Sequence, residues 1–149
     1  MKIMFVCPYF YPYIGGLENY VYNIAKRLAK KYEIIIVTSG KKYKEESFEN
    51  MKIYRLPVLF KISNTPINLF WYFQLKKIIK NENPTIINAH LPVPFIGDLA
   101  CLIEPKKCII TYHNDLVKQD LIGNFLCKSY YFFIGDRTLS NCKRIIATS

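Results

Sequence analysis

The residues best suited to chemistry in this chain lie just after short apolar runs. Gly15-Gly16 follows the run Ile3–Val6 and precedes Leu17, Val21, Ile24, Ala25 and Leu28, which repeat with the helix period. A strand feeding a helix through paired glycines leaves bare backbone N–H groups at a helix N-terminus, a ready site for an anion such as a diphosphate. Lacking a Cβ, Gly15 and Gly16 let a ligand or another backbone come close, although the pair equally suits a tight strand-to-helix turn. His90 ends a second apolar run, and His113 ends a third, with Asn114 and Asp115 following at once as a polar cluster. Each has a structural alternative: a strand-end histidine often bonds a loop carbonyl, and Asp115 could cap a turn. Asp98, inside a short apolar helix, reads as a solvent-facing or capping group.

The elements that must position these residues alternate along the chain. Strand signals fall at Lys2–Val6, Glu33–Thr38, Lys52–Leu56, Thr85–Ala89, Cys108–Tyr112 and Arg144–Thr148. Helical patterns run from Leu17 to about Lys30, over Ile67–Lys80, from about Pro94 to Leu102, and through most of Ile122–Asn141. The polar stretch Ser39–Asn50 reads as a surface loop, and Pro57–Pro66 as irregular. Alternation of this kind predicts an α/β fold, a doubly wound, Rossmann-like parallel sheet covered on both faces, with strand order 3-2-1-4-5-6. Ligands of such sheets sit at the carboxyl ends of the strands, near the point where strand order reverses. Gly15, Gly16, His90, His113, Asp115 and Ser149 all follow strands, so both histidines fall on the ligand side.

Composition narrows the options. A chain of 149 residues fits one domain and buries roughly 68–70% of its unfolded surface. Its 51% apolar content argues against disorder. Five cysteines, with no Cys-x-x-Cys pair, suggest reduced thiols of a cytosolic protein, and with only two histidines no metal site is expected. No signal peptide or membrane-spanning run is evident. The net charge of +10 is uneven: residues 1–80 carry 14 basic and 5 acidic side chains, residues 81–149 carry 7 and 6. Such a field favours anionic partners. Gly-x-Gly-x-x-Gly, a phosphate loop with Gly-Lys-Ser/Thr, Gly-x-Ser-x-Gly and a hydrolytic carboxylate pair are all absent.

Lys2–Val6 with Pro8, Pro12 and Gly15-Gly16-Leu17-Glu18, then Pro84–His90, Ile109–Asp115 and Arg144–Ser149, together resemble the opening half of family-4 glycosyltransferases. The resemblance covers essentially the whole chain, in order. It implies one of the two Rossmann-like domains of a GT-B fold, the amino-terminal one that mainly holds the acceptor. The implied enzyme is a retaining, metal-independent hexosyltransferase using a nucleotide-sugar co-substrate and no other cofactor. The glycine loop (Gly15, Gly16) would approach the donor diphosphate and sugar, and His113 would face the transferred sugar or acceptor. Glu18, His90, Asn114 and Asp115 are the other cleft candidates. The family's nucleotide-sugar domain, with its basic pair and paired glutamates, lies beyond Ser149, so the chain reads as a fragment or as one half of a split enzyme.

The pattern over Ile67–Lys80 adds a location. Ile67, Trp71, Leu75, Ile78 and Ile79 share one face; Leu69, Phe73, Lys76 and Lys80 fall roughly opposite. An apolar and basic outer face suits an anionic membrane surface, although a core helix with solvated lysines would look similar. Three readings follow: the acceptor-side domain of a glycosyltransferase at the cytoplasmic face of a membrane or on a soluble acceptor; a non-catalytic, membrane-associated binding subunit of the same fold; and a nucleic-acid-binding module. The last is weakest, because the lysines are scattered and no nucleic-acid motif accompanies them.

Overall fold

Apolar strands that must be covered on both faces organise the molecule. A computed structural model describes residues 1–62, 64–113 and 121–148, with backbone alone at 121–124 and 126. Among these residues one sheet of seven strands dominates. Its parallel members are β1 (Lys2–Val6), β2 (Glu33–Gly40), β4 (Met51–Pro57), β7 (Ile86–Leu91), β8 (Cys108–Tyr112) and β9 (Arg144–Ala147). They lie in the order β4-β2-β1-β7-β8-β9, which is the expected 3-2-1-4-5-6 winding. Strand β2 shows why: Ile34, Ile35, Ile36 and Val37 are all buried, so neither sheet face there meets water.

Two cores form, one on each face. Val21 and Ala25 of α1 (Gly16–Leu28) pack with Ile3, Phe5, Ile34, Ile36, Met51 and Ile53. Trp71, Leu75, Ile78 and Ile79 of α2 (Trp71–Glu82) and Ala100 of α3 (Ile96–Ile103) pack with Met4, Val6, Ile35, Val37 and Ala89. The fifth crossover combines α4 (Leu121–Tyr130), one π-helical turn (Tyr131–Gly135) and α5 (Asp136–Asn141).

Several sequence expectations are corrected. Ser39–Asn50 contains a strand, β3 (Lys44–Phe48), antiparallel to β4 at the sheet margin. Its Lys44, Glu45 and Glu46 give no apolar alternation, because a charged edge needs none and thereby resists pairing with other chains. Pro57–Pro66 holds a small hairpin, β5 (Phe60–Ile62) with β6 (Thr65–Ile67). The second helix starts at Trp71 rather than Ile67: the Asn68 carboxamide accepts from the Phe70 backbone N–H (2.9 Å) and donates to the Pro57 carbonyl (2.8 Å), turning the chain out of β6. That helix ends at Asn83, whose left-handed φ of 44° gives a common helix terminus. The expectation of reduced thiols also fails. Cys101 and Cys108 form a disulfide with Cα atoms 5.3 Å apart, while Cys7, Cys127 and Cys142 are free. Sequence spacing hid the pair, because the short turn Pro105–Lys107 folds the end of α3 back to the start of β8. Asp98 is buried, not solvent-facing; the capping part of its reading holds, since its carboxylate accepts from the Phe95 backbone N–H at 2.9 Å.

Candidate functional site

Parallel strands send their carboxyl ends to one rim, and there β7 and β8 bring the two histidines together. His90 is the penultimate residue of β7; Ile87 and Ala89 face the α2/α3 core, so His90 faces the α1 side, where its ring stacks on Phe5 at 5.9 Å. Gly97 of α3 packs against β7 so closely that an added Cβ would lie 3.2 Å from the His90 carbonyl oxygen. The His113 backbone N–H donates to the Leu91 carbonyl at 3.1 Å, which sets its ring beside that of His90. His90 Nδ1 and His113 Nε2 are 2.9 Å apart, and the rings stack at 5.2 Å. Tyr20 of α1 meets His113 edge-on at 4.9 Å and His90 at 6.0 Å. The α1 end of the site and the histidines therefore share a rim. Sequence reading missed Tyr20; its place beside Val21, on the flank of the buried helix face, is a weak signal.

Burial keeps this pair neutral. It lowers the His90 pKa to about 3, with the neighbouring His113 adding to the effect, and it lowers His113 as well. One proton must lie between the facing nitrogens. His90 Nε2 is buried and has no hydrogen-bond partner among the described residues. A buried orphan N–H costs more than an idle lone pair. The cheaper tautomer therefore has His90 Nδ1–H donating to His113 Nε2, which puts the remaining proton of His113 on Nδ1 as a donor.

At the start of α1, Gly15 is the N-cap with φ −165°, extended backbone that any residue adopts, and no side chain caps the helix. No described glycine has a positive φ, so the turn itself does not demand glycine. A Cβ on Gly15 would collide with the Glu18 carboxylate, which folds back over it. A Cβ on Gly16 would meet nothing within 4 Å. Packing thus leaves Gly16 facing open space beside unpaired helix N–H groups. Glu18 already places negative charge at this helix end, where an incoming anion would have to displace it.

Asn114, Asp115 and Ser149 lie outside the described residues. Of the expected outer face, Phe73 (68% exposed), Lys76 and Lys80 lie exposed on α2, while Leu69, 70% exposed, falls in the turn before the helix. Leu59, Phe60 and Ile62, in and just before the hairpin, are exposed as well. Pro57 ties the two parts together, its carbonyl accepting from both Asn68 and the Trp71 indole, each at 2.8 Å. A cavity of about 490 Å³ opens elsewhere on the α1 side, lined in part by Tyr11, Tyr13, Lys41, Lys42, Phe48 and Arg55. Among the described residues no group of three His, Cys, Asp or Glu side chains could hold a metal ion, and no helix is long and apolar enough to cross a membrane.

This arrangement has known relatives. The family model for Glycosyltransferase Family 4 matches residues 14–149. An uncharacterized glycosyltransferase of Methanocaldococcus jannaschii is 32% identical over 152 residues, spanning 100% of this chain and 41% of its own length. The GPI3 subunit of phosphatidylinositol N-acetylglucosaminyltransferase from Saccharomyces cerevisiae is 24% identical over 157 residues, covering 99% of this chain and 34% of its own length. The chain thus spans well under half of these relatives. Sucrose-phosphate synthase from Thermosynechococcus elongatus superimposes with a TM-score of 0.63 at 15% identity, over 99% of this chain and 42% of that one, a likeness of fold. With its Rossmann-like sheet of the GT-B kind and a family match over nearly its full length, the chain belongs to glycosyltransferase family 4.

Proposed function

We propose that this chain is the acceptor-side half of a retaining, metal-independent hexosyltransferase that moves a sugar from a nucleotide-sugar donor to a glycan, lipid or small-molecule acceptor. The observation that carries the reading is the neutral His113–His90 pair standing on the same rim as the open backbone at Gly16. In the reaction the bond from the anomeric carbon to the donor diphosphate breaks, and a bond from that carbon to an acceptor hydroxyl oxygen forms. The hydroxyl proton leaves with the diphosphate. Negative charge builds on the leaving group, and the oriented N–H groups at the start of α1 are placed to stabilise it. His113, held neutral and offering Nδ1–H, suits hydrogen bonding to a sugar oxygen without competing for the diphosphate as a cation would. Nucleobase and ribose contacts are assigned to a second domain or partner subunit, so the 149-residue chain alone should not turn over.

The test is made in the whole two-domain enzyme. His113→Ala should lower turnover about 10²-fold or more with a small change in melting temperature. Gly16→Ala should weaken donor binding while leaving stability level or slightly higher, because alanine is the better helix former by about 1 kcal/mol and meets no neighbour in the protein. Unchanged activity in both variants would sink the assignment.

We also propose that the enzyme works at the cytoplasmic face of a membrane, whose anionic leaflet attracts basic segments. Support comes from the surface formed by the β5–β6 hairpin and the start of α2. Leu59, Phe60, Ile62, Leu69, Phe70 and Phe73 are exposed there, with Lys61, Lys76 and Lys80 among them. Apolar rings with interspersed lysines and no acidic residue match an anionic interface better than plain water. The phosphatidylinositol N-acetylglucosaminyltransferase relative is consistent with a lipid acceptor here. A non-catalytic, membrane-associated binding subunit is the alternative, and the turnover test above separates the two.

A further inference from the structure

We infer that the cavity between the β1–α1 loop and the β3 edge is a binding subsite for a phosphate-bearing ring of monosaccharide size. Its volume is about 490 Å³, within the range of small-molecule sites. One wall is aromatic and held in place: the Tyr11 ring lies flat on Phe48, 4.8 Å away and tilted by 7°, and Tyr22 backs it at 5.9 Å. Arg55 fixes the loop, donating from its guanidinium to the Tyr11 carbonyl at 2.6 Å and pairing through Nε with Glu46 at 2.6 Å. Glu46 is the single acid among the cavity's lining residues. It is engaged by Arg55 and also pairs with Lys44.

Lys41 and Lys42 remain. Both are exposed on the β2–β3 turn, both line the cavity, and neither has an ion pair among the described residues. Two unpaired ammonium groups at the mouth of an aromatic-walled cavity call for an anion attached to a body with a flat apolar face. A phosphorylated sugar or cyclitol has both parts, the ring against Tyr11 and Tyr13 and the phosphate between the lysines. Gly40 ends β2 and Arg55 lies near the end of β4, so part of the cavity's wall lies at the rim that carries the glycine loop. Tyr11–Tyr13 lead directly into Gly15-Gly16. Resting on the reading of this chain as an acceptor-side domain, the assignment narrows the acceptor to a phosphorylated ring. That phosphate is either a free monoester or the phosphodiester of a lipid headgroup.

Titration calorimetry on the 149-residue chain tests this with glucose 6-phosphate, glucose, inorganic phosphate, uridine diphosphate and soluble dihexanoyl-phosphatidylinositol. One of the two phosphorylated rings should bind at least about tenfold tighter than glucose or inorganic phosphate, the scale of one or two charge-assisted hydrogen bonds. Preference for glucose 6-phosphate marks a free sugar phosphate; preference for the short-chain lipid marks a headgroup. K41S/K42S should lose about tenfold or more of that affinity with an unchanged melting curve. K30S/K31S, which removes an equally exposed lysine pair outside the cavity, should lose none. Equal losses from both lysine pairs, no preference over glucose, or uridine diphosphate binding that is tighter than either phosphorylated ring and is lost in K41S/K42S would overturn the assignment. Binding is read without any transfer, so its failure leaves the glycosyltransferase reading standing. An inactive whole enzyme whose chain still binds a phosphorylated ring here would sink that reading alone.

Discussion

At the residue scale, the two histidines differ in what surrounds them, and that decides what each can do. His90 is fully buried between Phe5, Tyr20 and His113, so protonating it requires placing a charge where nothing compensates it. Its pKa of about 3 lies below the ordinary value of 6.5, so the folded state binds fewer protons than the unfolded one between those values. Its contribution to stability is therefore complete above about pH 6.5 and is lost as pH falls toward 3. Nitrogen-15 NMR should find His90 neutral and protonated on Nδ1 down to about pH 4. A titration midpoint near 6.5 would mean a solvated ring and would undo the tautomer argument for His113. On the proposed reading His90 positions His113: His90→Ala should free the His113 ring and shift the pH profile of turnover, an effect a merely structural residue would not have.

At the element scale, α2 presents two different faces, one buried and one exposed. Trp71, Leu75, Ile78 and Ile79 are buried against the sheet, while Phe73, Lys76 and Lys80 point out. The inner face is ordinary core. The outer one exposes aromatic area that a helix packed on a sheet has no need to show, and the β5–β6 hairpin adds more. Each lysine close to an anionic surface contributes about 1 kcal/mol, and salt weakens this because exposed charges are screened over roughly 8 Å. Vesicles containing anionic lipid should therefore sediment the chain, and neutral vesicles should do so weakly. The folded triple variant Phe73→Ser, Lys76→Glu, Lys80→Glu should stay in the supernatant. Equal sedimentation of variant and parent would move the membrane surface elsewhere.

At the scale of the whole molecule, buried ionisable groups tie stability to pH with opposite signs over overlapping ranges. Asp98, in the first turn of α3, accepts hydrogen bonds from the Phe95 backbone and, at 3.0 Å, from the Tyr130 hydroxyl. Burial nevertheless raises its pKa from 3.8 to about 6. Its folded form holds a proton that the unfolded form has lost, so its stabilisation is full below 3.8 and disappears as pH rises through about 6. Glu82 works the other way. Burial alone would raise its pKa, but hydrogen bonds from Lys52, Tyr54 and Lys2 hold it at about 2, so its contribution is present above 4.5 and lost as pH falls toward 2. Asn at position 98 keeps the acceptor for Tyr130 but not the charge. Over pH 4 to 7 the loss at Asp98 opposes the gain from His90, so the rise in urea midpoint from pH 4 to pH 7 should be larger in Asp98→Asn than in the parent. An identical pH slope in the two proteins would place Asp98 in water. The Cys101–Cys108 disulfide removes the thiol argument for a reducing compartment, so the proposed cytoplasmic location rests on charge and exposed apolar surface.

Much of the architecture was legible in the sequence because it depends on local periodicity. Runs such as Ile34–Val37, buried on both faces, can only be central parallel strands, and the alternation of strands with helices then leaves few ways to wind the sheet. That same rule put Gly15, His90 and His113 on one rim before any coordinates, and the amphipathic split of α2 followed from its helical period. What the sequence left open depends on meetings between segments far apart in the chain. The His90–His113 contact joins residues on adjacent strands, and Tyr20 enters from a helix; no spacing encodes either. Strand β3 escaped because a solvated edge carries no hydrophobic pattern, and the disulfide because a tight turn, not a motif, brings its cysteines together. Whether a glycine answers to the chain or to a ligand was likewise a tertiary question. The space beyond its Cα holds the Glu18 carboxylate at Gly15 and is empty at Gly16, which is what the proposed donor contact at Gly16 needs.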